Sequence, residues 1–130
     1  MLEKAKKILE EGNHTCVLIR EDTVLTSDMH GVKQLLDWNL EDGYIADKII
    51  GKAAASIMIC GKVREVYAKV ISNEAINLFT KYNTKFTYST AVEHIKNRDG
   101  TDICPMEKLC LPFETAQECI EAIEQKIAMK

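Results

Sequence analysis

One stretch decides the predicted fold: Asp47-Lys48-Ile49-Ile50-Gly51-Lys52-Ala53-Ala54-Ala55-Ser56-Ile57-Met58-Ile59-Cys60-Gly61. Its nearly continuous apolar run lies between an aspartate, which is favoured at a helix start, and a glycine, which is favoured just past a helix end. We therefore predict a buried central helix that begins at Asp47. Gly51 would cost this helix about 1 kcal/mol relative to alanine, so we interpret it as a point where a neighbouring group approaches the backbone closely.

The segments on either side of this stretch alternate between strand and helix patterns. A β-rich run over 15–20, a turn at Glu21-Asp22 and a second run over 23–26 predict an antiparallel hairpin. Further strands are predicted over 63–72 and 85–88, with a helix that begins at Asn73 between them. Because a helix connects these two strands, we expect them to be parallel.

The predicted order of elements is α-β-β-α-α-β-α-β-α-α. It includes a short helix after the capping-box sequence Thr90-Ala91-Val92-Glu93 and a closing helix after a second one, Thr115-Ala116-Gln117-Glu118. With 130 residues, the chain is predicted to form one domain over 1–130. The economical architecture is a three-layer α-β-α fold in which helices cover a mixed four- to five-stranded sheet.

Composition and charge exclude several classes of protein. A net charge of −3 provides no basic field that could hold nucleic acid. No apolar run approaches the roughly 18 residues of a membrane span, and the N-terminus lacks the apolar region of a secretion signal. The five cysteines, an odd number, indicate reduced thiols. We therefore expect a cytoplasmic protein with neither a nucleic-acid nor a membrane partner.

Reactive chemistry is concentrated in Cys104-Pro105-Met106-Glu107-Lys108-Leu109-Cys110. Proline is favoured at the first helical position, so we expect Cys104 to cap a helix and Glu107 to be its third residue. Free backbone N–H groups at a helix start favour the reactive thiolate. One hypothesis is that Cys104 is a nucleophile and Glu107 an acid/base. The alternative is a small buried cysteine beside a capping carboxylate.

Metal ligation is not predicted. Structural zinc sites use cysteine pairs with two to four residues between them, whereas five residues separate Cys104 from Cys110. The three histidines lie far apart in the sequence, and their spacing matches no metal-binding motif; they are His14, His30 and His94. We therefore expect neither a metal nor another cofactor.

A second candidate site lies at the start of the predicted central helix. Lys48 and Lys52 are four residues apart and would share a helix face. Ligands of open α/β sheets lie beyond the carboxyl ends of parallel strands, where ammonium groups beside a helix N-terminus suit a phosphate. We expect Lys48 and Gly51 to bind the ligand. A catalytic hypothesis for the same site makes Lys52 the nucleophile and Asp47 an acid/base. The alternative is a capped helix whose lysines reach solvent.

A polar turn over 97–102 leads directly to Cys104. Arg98 can make a bidentate contact with a phosphate or carboxylate, and Asp102 can accept a hydrogen bond from a ligand hydroxyl. We predict both as ligand-binding residues, and the alternative is a plain surface turn.

Two segments carry a family resemblance: Ala46-Asp47-Lys48-Ile49-Ile50-Gly51-Lys52-Ala53-Ala54-Ala55 and Asn97-Arg98-Asp99-Gly100-Thr101-Asp102-Ile103-Cys104-Pro105-Met106-Glu107. Together with the order of elements, they resemble DUF1893, a bacterial family of unknown function assigned to the cytidine-deaminase-like superfamily. The resemblance spans nearly the whole chain. It implies a cytidine-deaminase-like fold and a place for a ligand pocket, but no activity.

Active zinc deaminases have a histidine or cysteine, and then a glutamate, at the start of the central helix, and two cysteines open the helix after the third strand. Here the first position reads Ala46-Asp47-Lys48 and the second reads Ser72-Asn73-Glu74-Ala75. Cys104 and Cys110 come one β-α unit later. The resemblance therefore implies a deaminase-like fold without zinc-dependent deaminase activity.

Three functions follow from these observations. The first is binding of a nucleotide or other phosphorylated small molecule, with Cys104 facing Lys48 and Lys52 across a cleft. The second is an enzyme that uses Cys104 or Lys52 as nucleophile in a zinc-free site. The third is a non-catalytic regulatory module that assembles as a homo-oligomer through its helices.

Overall fold

The structure, a computed structural model, describes residues 1–29, 32–96 and 99–128. The five strands found there form one mixed sheet in the order β2-β1-β3-β4-β5. β1 is antiparallel to both of its neighbours, whereas β3, β4 and β5 are parallel. The elements are α1 (Leu2–Glu11), β1 (Cys16–Arg20), β2 (Thr23–Ser27), α2 (Lys33–Asp37), β3 (Tyr44–Ile50), α3 (Lys52–Cys60), β4 (Glu65–Ser72), α4 (Asn73–Lys81), β5 (Lys85–Val92), α5 (Pro105–Cys110) and α6 (Ala116–Ala128).

The predicted hairpin is confirmed. β1 and β2 pair from Cys16 with Ser27 to Arg20 with Thr23. Glu21, in the connecting turn, adopts a positive φ of 51°. The two strands predicted to be parallel, β4 and β5, are also parallel neighbours in the sheet.

The predicted central helix is wrong in its first turn. Residues Tyr44–Ile50 form β3, which lies between β1 and β4, and α3 begins only at Lys52. Residues rich in β-branched side chains fit a strand that is paired on both edges, and this pairing overrides the helix-cap pattern. Asp47 therefore lies within a strand, while Gly61 follows the last helical residue as predicted.

The two predicted capping boxes have different outcomes. Thr90 does not begin a helix, because β5 continues to Val92, which pairs with Ser72 of β4. The second box is confirmed: the Thr115 hydroxyl accepts a hydrogen bond from the Glu118 N–H at 3.1 Å, and the Glu118 carboxylate accepts one from the Thr115 N–H at 3.2 Å. Pairing along a neighbouring strand thus outweighs a local cap signal where the two compete.

Helices cover both faces of the sheet. On one face α1 packs against β1, β3 and β4, and the buried residues there are Ala5, Leu9, Val17, Ile19, Ala46 and Tyr67. On the other face α3 and α4 pack on the sheet, and α5 and α6 pack against α3 around a larger core. The fold is therefore a mixed α/β fold with a five-stranded sheet. Within the described ranges, no helix combines the length and the apolar character that crossing a membrane requires.

Candidate functional site

The candidate site lies at the edge of the sheet where three parallel strands end. β3 ends at Ile50, β4 at Ser72 and β5 at Val92, and the strand register places these ends side by side. The residues that follow β3 and β4 begin α3 and α4. In open α/β sheets, this edge is where ligands bind.

Glu107 is the buried carboxylate at this edge, with 1% of its surface exposed. Its Oε1 accepts hydrogen bonds from the backbone N–H of Lys52 at 2.5 Å and from the hydroxyl of Ser72 at 3.0 Å. Its Oε2 accepts one from the backbone N–H of Ile95 at 2.6 Å. One side chain of α5 therefore satisfies a free N–H at the start of α3 and connects residues at or just after the ends of all three parallel strands.

Gly51 leaves room for the Glu107 carboxylate. A Cβ atom on Gly51 would lie 2.9 Å from Glu107 Oε1 and 3.1 Å from Ile95 Cγ1. The close approach to the backbone that the sequence predicts at this glycine is therefore present. The group that approaches is the Glu107 side chain.

We expect Gly51→Ala to lower the free energy of unfolding by about 1–3 kcal/mol, because the added methyl group displaces the carboxylate from its donors. Gly51 has a φ of −102°, so a positive φ is not the cause. Hydrogen exchange should show faster exchange of the Lys52 and Ile95 amides. Gly100→Ala is the control for backbone strain: alanine is unfavourable at its φ of 71°, but no atom lies within 4 Å of the added Cβ, so the Lys52 and Ile95 amides should keep their protection. Unchanged protection of both amides in Gly51→Ala would contradict this explanation.

Lys52 is the buried cation of the site, with 8% of its surface exposed. Its ammonium donates hydrogen bonds to the carbonyl oxygens of Leu111, at 3.3 Å, and Phe113. None of the ion pairs among residues 1–29, 32–96 and 99–128 includes Lys52. A buried charge that lacks an opposite charge is unfavourable. This ammonium therefore favours an anion beside it.

A cleft of about 410 Å³ opens beside Lys52, between α4 and the connection from α5 to α6. The ammonium of Lys81, on the α4 side, donates a hydrogen bond to the Glu114 carbonyl oxygen at 2.9 Å. Two lysines and two glutamates lie among the lining residues, so the cleft presents charges of both signs. The lining residues are Lys52, Glu74, Asn77, Leu78, Lys81, Leu111, Pro112, Phe113 and Glu114.

His94 and Glu74 are functional candidates that the sequence did not indicate. Nδ1 of His94 lies 3.1 Å from Oε1 of Glu74. Glu74, His94 and Glu107 each place one ligand-type atom within 4.8 Å of the others. They come from the first turn of α4, the segment after β5 and the first turn of α5. Their separations fit no motif, and the available signal is that Glu74 and His94 each follow the end of a parallel strand.

Lys48 does not lie beside Lys52. Lys48 is in β3, and its ammonium lies 3.5 Å from Asn13 Oδ1. It lines a separate hollow of about 140 Å³ beside α1. The predicted shared helix face is therefore wrong, because only Lys52 is helical.

Cys104 occupies the N-cap position of α5, as predicted, although its side chain makes no capping hydrogen bond, and it is partly buried. Its backbone N–H donates a hydrogen bond to the Ile95 carbonyl oxygen at 2.7 Å. It lines neither the 410 Å³ cleft nor the smaller hollow. The expected arrangement, in which Cys104 faces Lys48 and Lys52 across one cleft, is not observed in the described part of the chain.

Asp47 lies in the sheet, beside Cys16 of β1. Burial raises the pKa of Asp47 to about 7, although hydrogen bonds from nearby backbone N–H groups and from the Cys16 thiol oppose this shift. Burial, and then the charge of Asp47, also raise the pKa of the Cys16 thiol. Asp47 does not line the cleft, so its burial affects stability rather than ligand contact.

Of the two ligand-binding residues predicted in the polar turn, Asp102 is the one that the structure describes. The exposed Asp102 carboxylate accepts hydrogen bonds from the Ile103 N–H at 2.7 Å and the Lys108 ammonium at 3.4 Å. The hydrogen bond from the Ile103 N–H, and then Lys108, hold the pKa of Asp102 below its ordinary value. Arg98 lies outside the described residues.

The fold and the site define a class of protein: a mixed α/β protein with helices on both sides of a five-stranded sheet and a cleft beside the start of α3, between α4 and the connection from α5 to α6. The chain belongs to the DUF1893 family, because the model of this domain of unknown function, TM1506, matches residues 4–127. The resemblance to the DUF1893 family that was stated from the sequence is thereby confirmed.

The chain is also similar to a solved structure of the same family. This is the crystal structure, at 2.70 Å resolution, of the DUF1893 family protein TM1506 from Thermotoga maritima. The two are 31% identical, the match covers 96% of this chain and 88% of that chain, and the TM-score is 0.89. The comparison with curated proteins gave no match.

Proposed function

We propose that this chain binds a small phosphorylated molecule, of the size of a nucleotide or sugar phosphate, in the cleft beside Lys52. The observation that carries this proposal is the buried Lys52 ammonium, which has no ion-pair partner within the described ranges. A phosphate oxygen would supply the missing negative charge. The cleft volume of about 410 Å³ lies in the range of small-molecule sites.

The other charges of the cleft refine the chemistry of this ligand. Lys81 supplies a second ammonium for a phosphate, and Asn77 offers an amide. Glu74 and Glu114 would repel a second anionic group but can accept hydrogen bonds from hydroxyl or amino groups. The cleft therefore favours a ligand with one phosphate and several neutral donors, which describes a nucleotide or a sugar phosphate.

The proposed function includes a cytidine-deaminase-like fold without zinc-dependent deamination. The leading hairpin and the β-α-β-α-β order that follows it support such a fold. The helices after β3 and β4 begin with Lys52-Ala53 and Asn73-Glu74. These residues do not fit a zinc ion held by a cysteine pair with a glutamate beside it.

The catalytic alternative gains little from this geometry. The Lys52 ammonium donates hydrogen bonds to two carbonyl oxygens. These bonds favour a lysine that is held in place as a cation, and they do not favour a nucleophile. Cys104 lines neither hollow. The homo-oligomeric module stays a prediction from the sequence.

A thermal-shift experiment tests the proposed function directly. We expect a nucleoside monophosphate or a sugar phosphate to raise the Tm with increasing concentration, because the ligand binds only the folded state. The matching nucleoside or sugar without its phosphate should have a much smaller effect. Unchanged Tm across a panel of nucleotides and sugar phosphates would remove the proposal.

We expect Lys81→Gln to weaken binding of the phosphorylated ligand by about tenfold or more, because a charge-assisted hydrogen bond is lost. Isothermal titration calorimetry with the best ligand of the panel measures the change in Kd. Lys85→Gln is the matched control, because Lys85 is an exposed lysine of β5 that pairs with Glu65 at 3.8 Å and does not line the cleft. Equal Kd values in the two variants would place the ligand elsewhere.

A further inference from the structure

We propose that Glu74, His94 and Glu107 form a binding site for one divalent transition-metal ion, such as Mn²⁺ or Zn²⁺. Each side chain offers one ligand atom, and these atoms lie within 4.8 Å of one another. Ligands about 2.1 Å from a shared ion lie about 3–4 Å apart, so small side-chain adjustments would complete the site. This inference goes beyond the proposed function, because it requires no small molecule.

Two of the candidate ligand residues have polar atoms without a partner. Glu74 Oε2 and His94 Nδ1 are both buried, and neither has a hydrogen-bond partner among the described residues. The 3.1 Å approach of His94 Nδ1 to Glu74 Oε1 is close enough for an ion pair but lacks hydrogen-bond geometry. Leaving a buried polar atom unsatisfied destabilises the folded protein. A metal ion bound by both groups would remove this cost.

The third ligand, Glu107, is already held in place. Its Oε1 accepts two hydrogen bonds, from Lys52 and Ser72, which use both lone pairs of that oxygen. Its Oε2 accepts one hydrogen bond, from Ile95, so a lone pair remains for a metal. Hydrogen bonds of this kind orient carboxylate ligands and strengthen metal binding.

The donor set indicates the class of metal. One imidazole and two carboxylates, without a thiolate, suit Mn²⁺, Fe²⁺ or Zn²⁺. Two carboxylates also balance the charge of a divalent ion. Three protein ligands leave coordination positions open, and Glu74 also lines the cleft. The ion would therefore lie beside the proposed ligand, and only this last step rests on the proposed function.

Calorimetric titration of the whole chain with MnCl₂ and with ZnCl₂, without any small molecule, tests the site. We expect one ion per chain, and a Kd raised by about tenfold or more in His94→Gln and in Glu74→Gln. His14→Gln is the matched control. His14 is also 24% exposed and lies 2.8 Å from one carboxylate oxygen, of Asp28, so we expect the Kd to be unchanged.

Glu107 is left intact in this test, because its variants also lose the cap of α3. Circular dichroism shows whether each variant is folded, and Glu74→Gln keeps the test decisive should His94→Gln not fold. Failure of both metals to bind, or an unchanged Kd in the folded variants, would overturn the metal site. The proposed function is tested apart from it by measuring the ligand-induced Tm shift with and without a chelator.

Discussion

Glu107→Ala is expected to lower the free energy of unfolding by about 3–5 kcal/mol. The change leaves three donors at a buried site without an acceptor: the Lys52 N–H, the Ser72 hydroxyl and the Ile95 N–H. Each buried group without a partner costs about 1–3 kcal/mol. Urea denaturation followed by circular dichroism measures the loss.

Glu118→Ala is the matched control, because Glu118 is also the third residue of a helix but is exposed. Its carboxylate accepts hydrogen bonds from the N–H and hydroxyl of Thr115. We expect its loss to cost about 0.5–1 kcal/mol, as for other exposed helix caps. Glu107→Gln should fall between the two, because its NH₂ group would face one of the donors. Similar losses in Glu107→Ala and Glu118→Ala would contradict the central role of Glu107.

This result would also affect how any activity data are interpreted. A Glu107 variant that loses ligand or metal binding has also lost its cap on α3 and its contact with the segment after β5. Loss of function in that variant is therefore not evidence of a catalytic role. Lys81 and His94 are better probes of binding, because among the described residues neither side chain connects the three strand ends as Glu107 does.

Asp47→Asn is expected to make the protein more stable than the wild type at pH 8 and to change stability much less at pH 4. Burial raises the pKa of folded Asp47 to about 7, whereas an unfolded aspartate has a pKa of about 3.9. Between these values the folded state binds more protons, so the stability of the wild type falls as the pH rises. Asparagine does not ionise and escapes this loss.

The pH-dependent part of this difference should be on the order of 4 kcal/mol. Urea denaturation of both proteins at pH 4 and pH 8 measures it, because the titration of other groups cancels between them. Asp22→Asn, in the exposed turn between β1 and β2, is the control and should change stability similarly at both pH values. A constant difference between wild type and Asp47→Asn across this range would show that Asp47 is not buried as a neutral acid.

The parts of the fold that sequence predicts correctly depend on neighbouring residues. The turn at Glu21-Asp22 and the capping box of Thr115 and Glu118 are satisfied by groups close by in the chain. Strand β3 is the main failure, because an apolar run with an aspartate before it and a glycine after it is typical of a helix. Pairing with β1 and β4 makes the first part of this apolar run a strand. A pattern of neighbouring residues carries no information about that pairing.

The candidate site shows the same division. The sequence singled out Gly51, Lys52 and Glu107, but in two separate hypotheses. The structure joins them, because the Glu107 carboxylate occupies the space that Gly51 leaves and accepts the Lys52 N–H. It also adds His94 and Glu74, for which no spacing provided a signal.

The sequence by itself determined the hairpin, the capping box of the closing helix, the family and the start of α5 at Pro105. These depend on contacts between residues a few positions apart, or on the pattern of the whole chain. Only the tertiary structure decided that β3 is a strand and that Glu74, His94 and Glu107 meet. The physical reason is that strand pairing brings together chain segments that are distant in sequence, and the partners of a buried carboxylate depend on which strand ends become neighbours.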